Sequence, residues 1–151
     1  MERLVSMAQA RATFVESFAV PPDRLFEALS DHEGMSEWIG ARVSVVRGPK
    51  DGGVGTVRRV HARGLAIDEE VTYLDPPRRM VYRIVSGAPG VRFHRGEVLV
   101  EPWGRTGSQL TWDILIDSPI PGVARAMVAV LRPAIRGGLA RLRAKLGEPR
   151  A

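Results

Sequence analysis

The side chains of this sequence that could do chemistry are its histidines, tyrosines, tryptophans and arginines, because the chain has no cysteine. That absence excludes a disulfide framework, a thiolate metal site and a cysteine nucleophile. The three histidines, His32, His61 and His94, do not stand at a spacing typical of metal ligands. The sequence also has no Gly-x-Ser-x-Gly elbow and no Walker phosphate loop. We therefore expect a site that uses neither a metal nor a cofactor.

Alternation along the predicted strands selects four polar aromatic side chains that should face inward. Trp112 shares the apolar face of the last strand, and His94 shares that of the preceding strand. Tyr82 and Tyr73 belong to the inner sets of two earlier strands. The four could supply the few polar groups of a mostly apolar pocket. In the alternative interpretation, each is a core residue whose polar atom bonds to a neighbour.

Two adjacent arginines, Arg58 and Arg59, lie on one predicted strand and must point to opposite faces. A guanidinium that enters the interior needs a carboxylate partner. The candidates are Glu69 and Glu70 on the adjoining strand. We select Arg59 as the candidate for binding a ligand carboxylate or carbonyl; the alternative is an ordinary surface ion pair.

The elements that position these residues begin with a strand that is stopped by Pro21-Pro22-Asp23. Two short helices follow, the second capped by Asp31 and ending at Trp38. Trp38 is a candidate for a lid over the pocket mouth, or else an ordinary hydrophobic anchor. The chain then changes to period two, and short connections predict antiparallel pairing. The predicted strands are 12–20, 42–47, 55–61, 65–74, 79–86, 91–101 and 108–117.

A long amphipathic helix is predicted over residues 123–146. Met127, Leu131 and Ile135 fall on its apolar face and are candidate lining residues. The opposite face carries arginines, which indicates a solvated surface rather than a contact with lipid headgroups.

Breaks inside that helix predict an unusual shape. Pro133 removes a backbone hydrogen bond in mid-helix, which predicts a kink. Gly137 and Gly138 follow within a turn, each costing about 1 kcal/mol relative to alanine. A kinked helix with a small residue on its inner face would leave space beneath it. The alternative is a helix broken into two shorter ones.

The order of elements resembles the START-like (SRPBCC) superfamily, in particular its polyketide cyclase/dehydrase and lipid-transport branch. The residues that carry the resemblance are Val20–Asp31 running to Trp38, Leu74–Tyr82, Gly96-Glu97-Val98 and Gly107–Trp112. The resemblance implies an α+β helix-grip fold. In it, a curved antiparallel sheet of about seven strands, with two short helices after strand 1, packs against a long C-terminal helix. It also implies a pocket for lipids, polyketides or similar molecules between sheet and helix.

Domain limits and partners follow from composition. We expect a single domain over 12–147, with an N-terminal segment 1–11 that is disordered and a tail 148–151. The net charge of +5 comes almost entirely from arginine. With few aromatic residues and no recognition motif, this predicts no nucleic-acid partner and at most weak membrane-surface contact. We expect a cytoplasmic monomer or homodimer.

Two functions from different classes fit these residues. The first is binding or transport of a hydrophobic small molecule in a cavity between sheet and helix. The second is a cyclase or dehydratase acting without metal, in which His94 or Tyr82 is the general acid or base and Arg59 polarises a carbonyl. A third interpretation, a surface interaction module, predicts a filled core and no cavity.

Overall fold

The computed structural model describes residues 8–147, in which one seven-stranded antiparallel sheet is the central element. The strands are β1 (Gln9–Phe18), β2 (Arg42–Arg47), β3 (Val57–Ala62), β4 (Leu65–Asp75), β5 (Arg79–Ser86), β6 (Phe93–Trp103) and β7 (Gly107–Asp117). Their order across the sheet is β1-β7-β6-β5-β4-β3-β2. Every neighbouring pair apart from β1 and β7 is consecutive in sequence, as short connections require. The predicted strand number and direction are confirmed.

Strand β1 begins at Gln9, three residues before the expected boundary at Ala12. Gln9 pairs with Asp117, and the ladder then runs without interruption to the pair of Phe18 and Ser108. Cross-strand pairing with β7 therefore extends the strand into a segment that carries no strand signal of its own. The remainder of the expected N-terminal segment, 1–7, and the tail, 148–151, lie outside the described residues.

Two short helical elements follow β1, as predicted. Helix α1 (Pro22–Ser30) has proline in its first turn and buries Leu25, Phe26 and Leu29. A single 3₁₀ turn, Gly34–Glu37, comes next. The Asp31 carboxylate accepts a hydrogen bond from the Gly34 N–H at 3.1 Å, although the N-cap position of the turn is Glu33 and not the predicted Asp31.

The long C-terminal helix α2 (Val123–Gly147) packs mainly against β1 and continues through Pro133. The alternative of two shorter helices is therefore wrong. The buried face is also rotated from the predicted one: Val130, which helical spacing places on the apolar face with Met127 and Leu131, is 43% exposed, whereas Val128 and Leu139 are buried. No helix among residues 8–147 combines the length and apolar character needed to cross a membrane.

Gly138 brings α2 close to the 3₁₀ segment, rather than leaving space beneath the helix as expected. A Cβ at this position would lie 3.1 Å from Ile39 Cδ1 and 3.2 Å from the Trp38 carbonyl oxygen. The same carbonyl accepts a hydrogen bond from Arg141 Nε at 2.8 Å. The glycine thus permits the contact that fixes the 3₁₀ segment against the helix.

Candidate functional site

A cavity of about 150 Å³ lies between the inner face of the sheet and helix α2. Its walls are mostly aliphatic, which is typical of small-molecule sites. The apolar lining residues are Met35, Ile39, Val60, Ala62, Ile67, Ile84, Ile114, Ile116, Met127, Leu131 and Ile135. The polar lining residues are Arg58, Glu69, Tyr82, His94 and Trp112. An apolar cavity of about this volume can accommodate a molecule the size of benzene.

Arg58, not Arg59, is the arginine that enters the interior. The Arg58 side chain is 1% exposed, and its Nε donates a hydrogen bond to Glu69 Oε1 at 3.0 Å. Arg59 lies on the opposite face, 42% exposed, and forms a bidentate pair with Asp68. The selection of Arg59 as the inward residue is wrong, because Arg58 shares the face of Val60, which lines the cavity. Glu69 is the inward carboxylate.

His32 is a second hydrogen-bond partner of the Arg58 guanidinium, in addition to Glu69. Its Nε2 lies 3.0 Å from the Gly52 carbonyl oxygen, which places the ring proton on that nitrogen. Its Nδ1 can then accept from Arg58 Nη1, 3.4 Å away. Burial lowers the pKa of His32, so the acceptor form is favoured. This residue was not predicted, because nothing in the sequence near His32 distinguishes it from a loop histidine.

Tyr82 and Trp112 are bonded to each other at the cavity wall. The Trp112 indole N–H donates to the Tyr82 hydroxyl oxygen at 2.9 Å, and both side chains are buried. The Arg58 Cζ atom lies 4.7 Å from the centre of the Tyr82 ring. Gly96, which pairs with Tyr82 across β5 and β6, makes room for the Tyr82 ring, because a Cβ at this position would lie 2.2 Å from Tyr82 Cζ. Burial raises the pKa of the Tyr82 hydroxyl, which therefore stays protonated.

His94 lines the cavity, and the backbone of β5 holds one of its two ring nitrogens. It is 5% exposed, and its Nδ1 accepts a hydrogen bond from the Ile84 backbone N–H at 3.1 Å. Nδ1 therefore carries no proton, and the neutral ring carries it on Nε2. Burial lowers the pKa of His94, which favours this neutral form. Nε2 has no hydrogen-bond partner among the residues described.

Tyr73 lies on the outer face, which corrects the predicted inward orientation. Val71 pairs with Tyr82, whereas Tyr73 pairs with Val81, so Thr72 is an extra residue in a β-bulge. One extra residue reverses which alternate side chains face inward. Tyr73 is accordingly 44% exposed and takes no part in the cavity.

Trp38 is buried beside the cavity without being among its lining residues. It is 2% exposed and meets Trp112 edge to face, with ring centres 6.4 Å apart. Its neighbours Met35 and Ile39 reach the cavity instead. Residues on either side of Trp38 therefore contribute to the cavity wall, and a lid role for Trp38 stays a prediction.

The structure brings six of the nine candidate residues together around this space. Those six are Tyr82, His94, Trp112, Met127, Leu131 and Ile135. Their contact with a ligand stays a prediction. The polar groups form one row across the sheet: Arg58 pairs with Glu69, Glu69 pairs with Ile84, and Ile84 bonds to His94. The surface of the cavity is thus almost entirely apolar, and its few polar groups lie along one side.

Comparison with known proteins identifies relatives in sequence and in fold. A family model described as polyketide cyclase / dehydrase and lipid transport matches residues 9–147. Uncharacterised protein Rv2574 of Mycobacterium tuberculosis and uncharacterised protein Mb2604 of Mycobacterium bovis are each 31% identical to the chain over 128 residues. The alignment covers 82% of this chain and 74% of each relative.

Two solved structures share the fold at low sequence identity. Protein XoxI from Bacillus cereus superposes with a TM-score of 0.74 at 15% identity, covering 91% of this chain and 95% of that one. Ara h 8.0201 superposes with a TM-score of 0.71 at 18% identity, covering 91% and 97%. Both support the helix-grip architecture, and neither carries information about a ligand of this chain.

Proposed function

We propose, since the chain belongs to the polyketide cyclase / dehydrase and lipid transport family, that its cavity binds a small and mostly apolar molecule. The observation that carries this proposal is the apolar space between the sheet and α2, with aliphatic walls and a single polar row. Burial of apolar ligand surface supplies the affinity, and the polar row sets the orientation.

The volume of the cavity limits the size of the ligand. About 150 Å³ accommodates a single aromatic ring with a short substituent. Met35 and Met127 are among the lining residues, and methionine adapts its shape at little cost. Movement of these two side chains would enlarge the site for a longer molecule.

A matched pair of substitutions on α2 tests the proposal. Toluene, titrated into ¹⁵N-labelled protein, should shift the indole N–H resonance of Trp112. Leu131→Trp fills the cavity and should abolish that shift, because Leu131 lines the space. Val130→Trp adds the same group at an exposed neighbouring position and should leave binding intact. Saturable binding that survives Leu131→Trp would show that toluene binds elsewhere and would contradict the proposal.

The natural ligand can be sought directly. Native mass spectrometry of protein purified from its own host should show an added mass that the Leu131→Trp variant lacks. Val130→Trp protein purified in parallel is the control and should retain that mass.

A second candidate function, a cyclase or dehydratase, is favoured by the inward pair of Arg58 and Glu69. The guanidinium could polarise a carbonyl. His94 is poorly suited to be the base, since Nδ1 is engaged and Nε2 carries the proton. Tyr82 stays protonated, which leaves Glu69 as the candidate base. For an identified substrate, Glu69→Gln should abolish turnover while binding persists; unchanged turnover would eliminate this role.

A further inference from the structure

We propose that the ligand of this cavity carries one neutral oxygen group, a carbonyl or a phenolic hydroxyl, and not a carboxylate. The inference rests on the proposed binding function and names the class of molecule that the site takes. It follows from two properties of the polar row: the hydrogen-bond donors it leaves open and the charge it carries.

Two residues of the row that line the cavity, Arg58 and His94, each keep an N–H group that the other described residues do not bind. Arg58 uses Nε for Glu69 and Nη1 for His32, and its Nη2 has no partner within residues 8–147. His94 uses Nδ1 for the Ile84 N–H, which leaves the Nε2 proton for the cavity side. Two N–H groups beside aliphatic walls suit an oxygen that accepts hydrogen bonds. A ligand with no polar atom would leave both donors unsatisfied.

The charges of the row already balance. Arg58 contributes one positive charge, Glu69 one negative charge, and His94 is held neutral by the Ile84 N–H. No other charged side chain is among the lining residues. A carboxylate ligand would therefore bring an uncompensated negative charge into an apolar space, which is costly.

A carboxylate would also compete with Glu69 for the same guanidinium. Two carboxylates beside one guanidinium repel each other. A carbonyl oxygen avoids that repulsion and still accepts from both donors. A phenolic hydroxyl can additionally donate to the Glu69 carboxylate, so phenols fall within the same class.

Three probes of similar size test the inference on the wild-type protein: acetophenone, benzoate and toluene. Their dissociation constants would be measured by ¹⁵N NMR titration at pH 7.5. We expect acetophenone to bind about tenfold or more tightly than toluene, and benzoate about tenfold or more weakly than acetophenone. Benzoate binding as tightly as acetophenone would overturn the inference.

The probes distinguish failure of this inference from failure of the proposed function. If toluene and acetophenone bind equally, the cavity binds apolar molecules but does not recognise an oxygen head, and only the inference fails. If none of the three binds to the cavity, the proposed function fails and the inference fails with it.

The Glu69→Gln variant tests the charge argument, because it should shift the preference of the cavity towards benzoate. The variant keeps the side-chain shape but leaves the Arg58 charge unbalanced, so the ratio of benzoate affinity to acetophenone affinity should rise about tenfold or more. An unchanged ratio in the folded variant would contradict the charge argument. Should the variant fail to fold, the wild-type comparison of the three probes still decides the inference.

Discussion

Two neighbouring arginines on β3 have opposite environments, which single-residue measurements can compare. Arg58 is almost completely buried between Glu69, His32 and the Tyr82 ring. Arg59 is nearly half exposed and pairs with Asp68 at the outer face. Identical residue types one position apart are therefore natural controls for each other.

Arg58→Met should destabilise the fold by about 3 kcal/mol, because it leaves the Glu69 carboxylate, which is only 14% exposed, without its partner. Arg59→Met should cost less, because the Arg59 side chain is 42% exposed and its partner Asp68, although only 10% exposed, keeps a hydrogen bond from Ser86 Oγ. Urea denaturation of both variants measures the difference. Equal losses of stability would mean that Arg58 is not the interior arginine.

Sequence alternation placed the two arginines on opposite faces of β3, but it could not select which of them, if either, enters the interior. The apolar neighbours Val57 and Val60 lie on opposite faces, and Val57 is 0% exposed while Val60 is only partly buried. Because each face carries one valine, hydrophobicity does not distinguish the face of Arg58 from the face of Arg59. The pairing of Arg58 with Glu69 in the folded sheet is what identifies Arg58 as the interior arginine.

At the scale of elements, two adjacent glycines of helix α2 have different surroundings, and Gly138 is the one that contacts the residues after the 3₁₀ turn. Gly138 is buried against the backbone of Trp38 and Ile39. Gly137 is half-buried, and a Cβ there would meet only the Arg141 guanidinium, at 3.6 Å. The two positions share the same helical cost of glycine and differ in packing.

Gly137→Ala should raise the free energy of unfolding by about 0.5–1 kcal/mol, because alanine is the better helix former. Gly138→Ala should be less stable than Gly137→Ala, because its methyl group would press against the Trp38 carbonyl and Ile39. Thermal and urea denaturation compare the two. A Gly138→Ala variant as stable as Gly137→Ala would show that the helix can move away from the 3₁₀ segment.

The strands and helices were predicted correctly where neighbouring residues in the sequence are enough to indicate them. Seven strands, two short helical elements and a long terminal helix are all visible as periods, prolines and caps. The β-bulge at Thr72 was not predicted, since one extra residue in a strand has no sequence signature of its own. That single bulge moves Tyr73 from the predicted inner face to the outside.

For the molecule as a whole, the two buried histidines predict how stability depends on pH. Burial lowers the pKa values of His32 and His94, with Arg58 lowering both further. The opposing charges are Glu69, which faces both rings, and Asp31, which faces His32. The unfolded chain therefore binds more protons than the native protein as the pH falls below the ordinary histidine value of about 6.5.

Since stability rises with pH wherever the unfolded state binds more protons, the native protein should lose stability between about pH 7 and 5. Urea midpoints over that range measure the loss. A variant with His32→Asn and His94→Asn should show a flatter dependence, while keeping an amide oxygen to accept from the Ile84 N–H. Equal slopes for the two proteins would mean that other groups cause the acid sensitivity.

The sequence by itself determined the sheet, its strand number and the helix that crosses it, because period-two and helical patterns depend on neighbouring residues alone. It also indicated that Tyr82, His94 and Trp112 face inward. Tertiary structure alone decided which arginine is buried, that His32 supports it, and that Tyr73 is outside. These outcomes depend on register, a bulge and contacts between residues distant in the chain, and no local pattern encodes them.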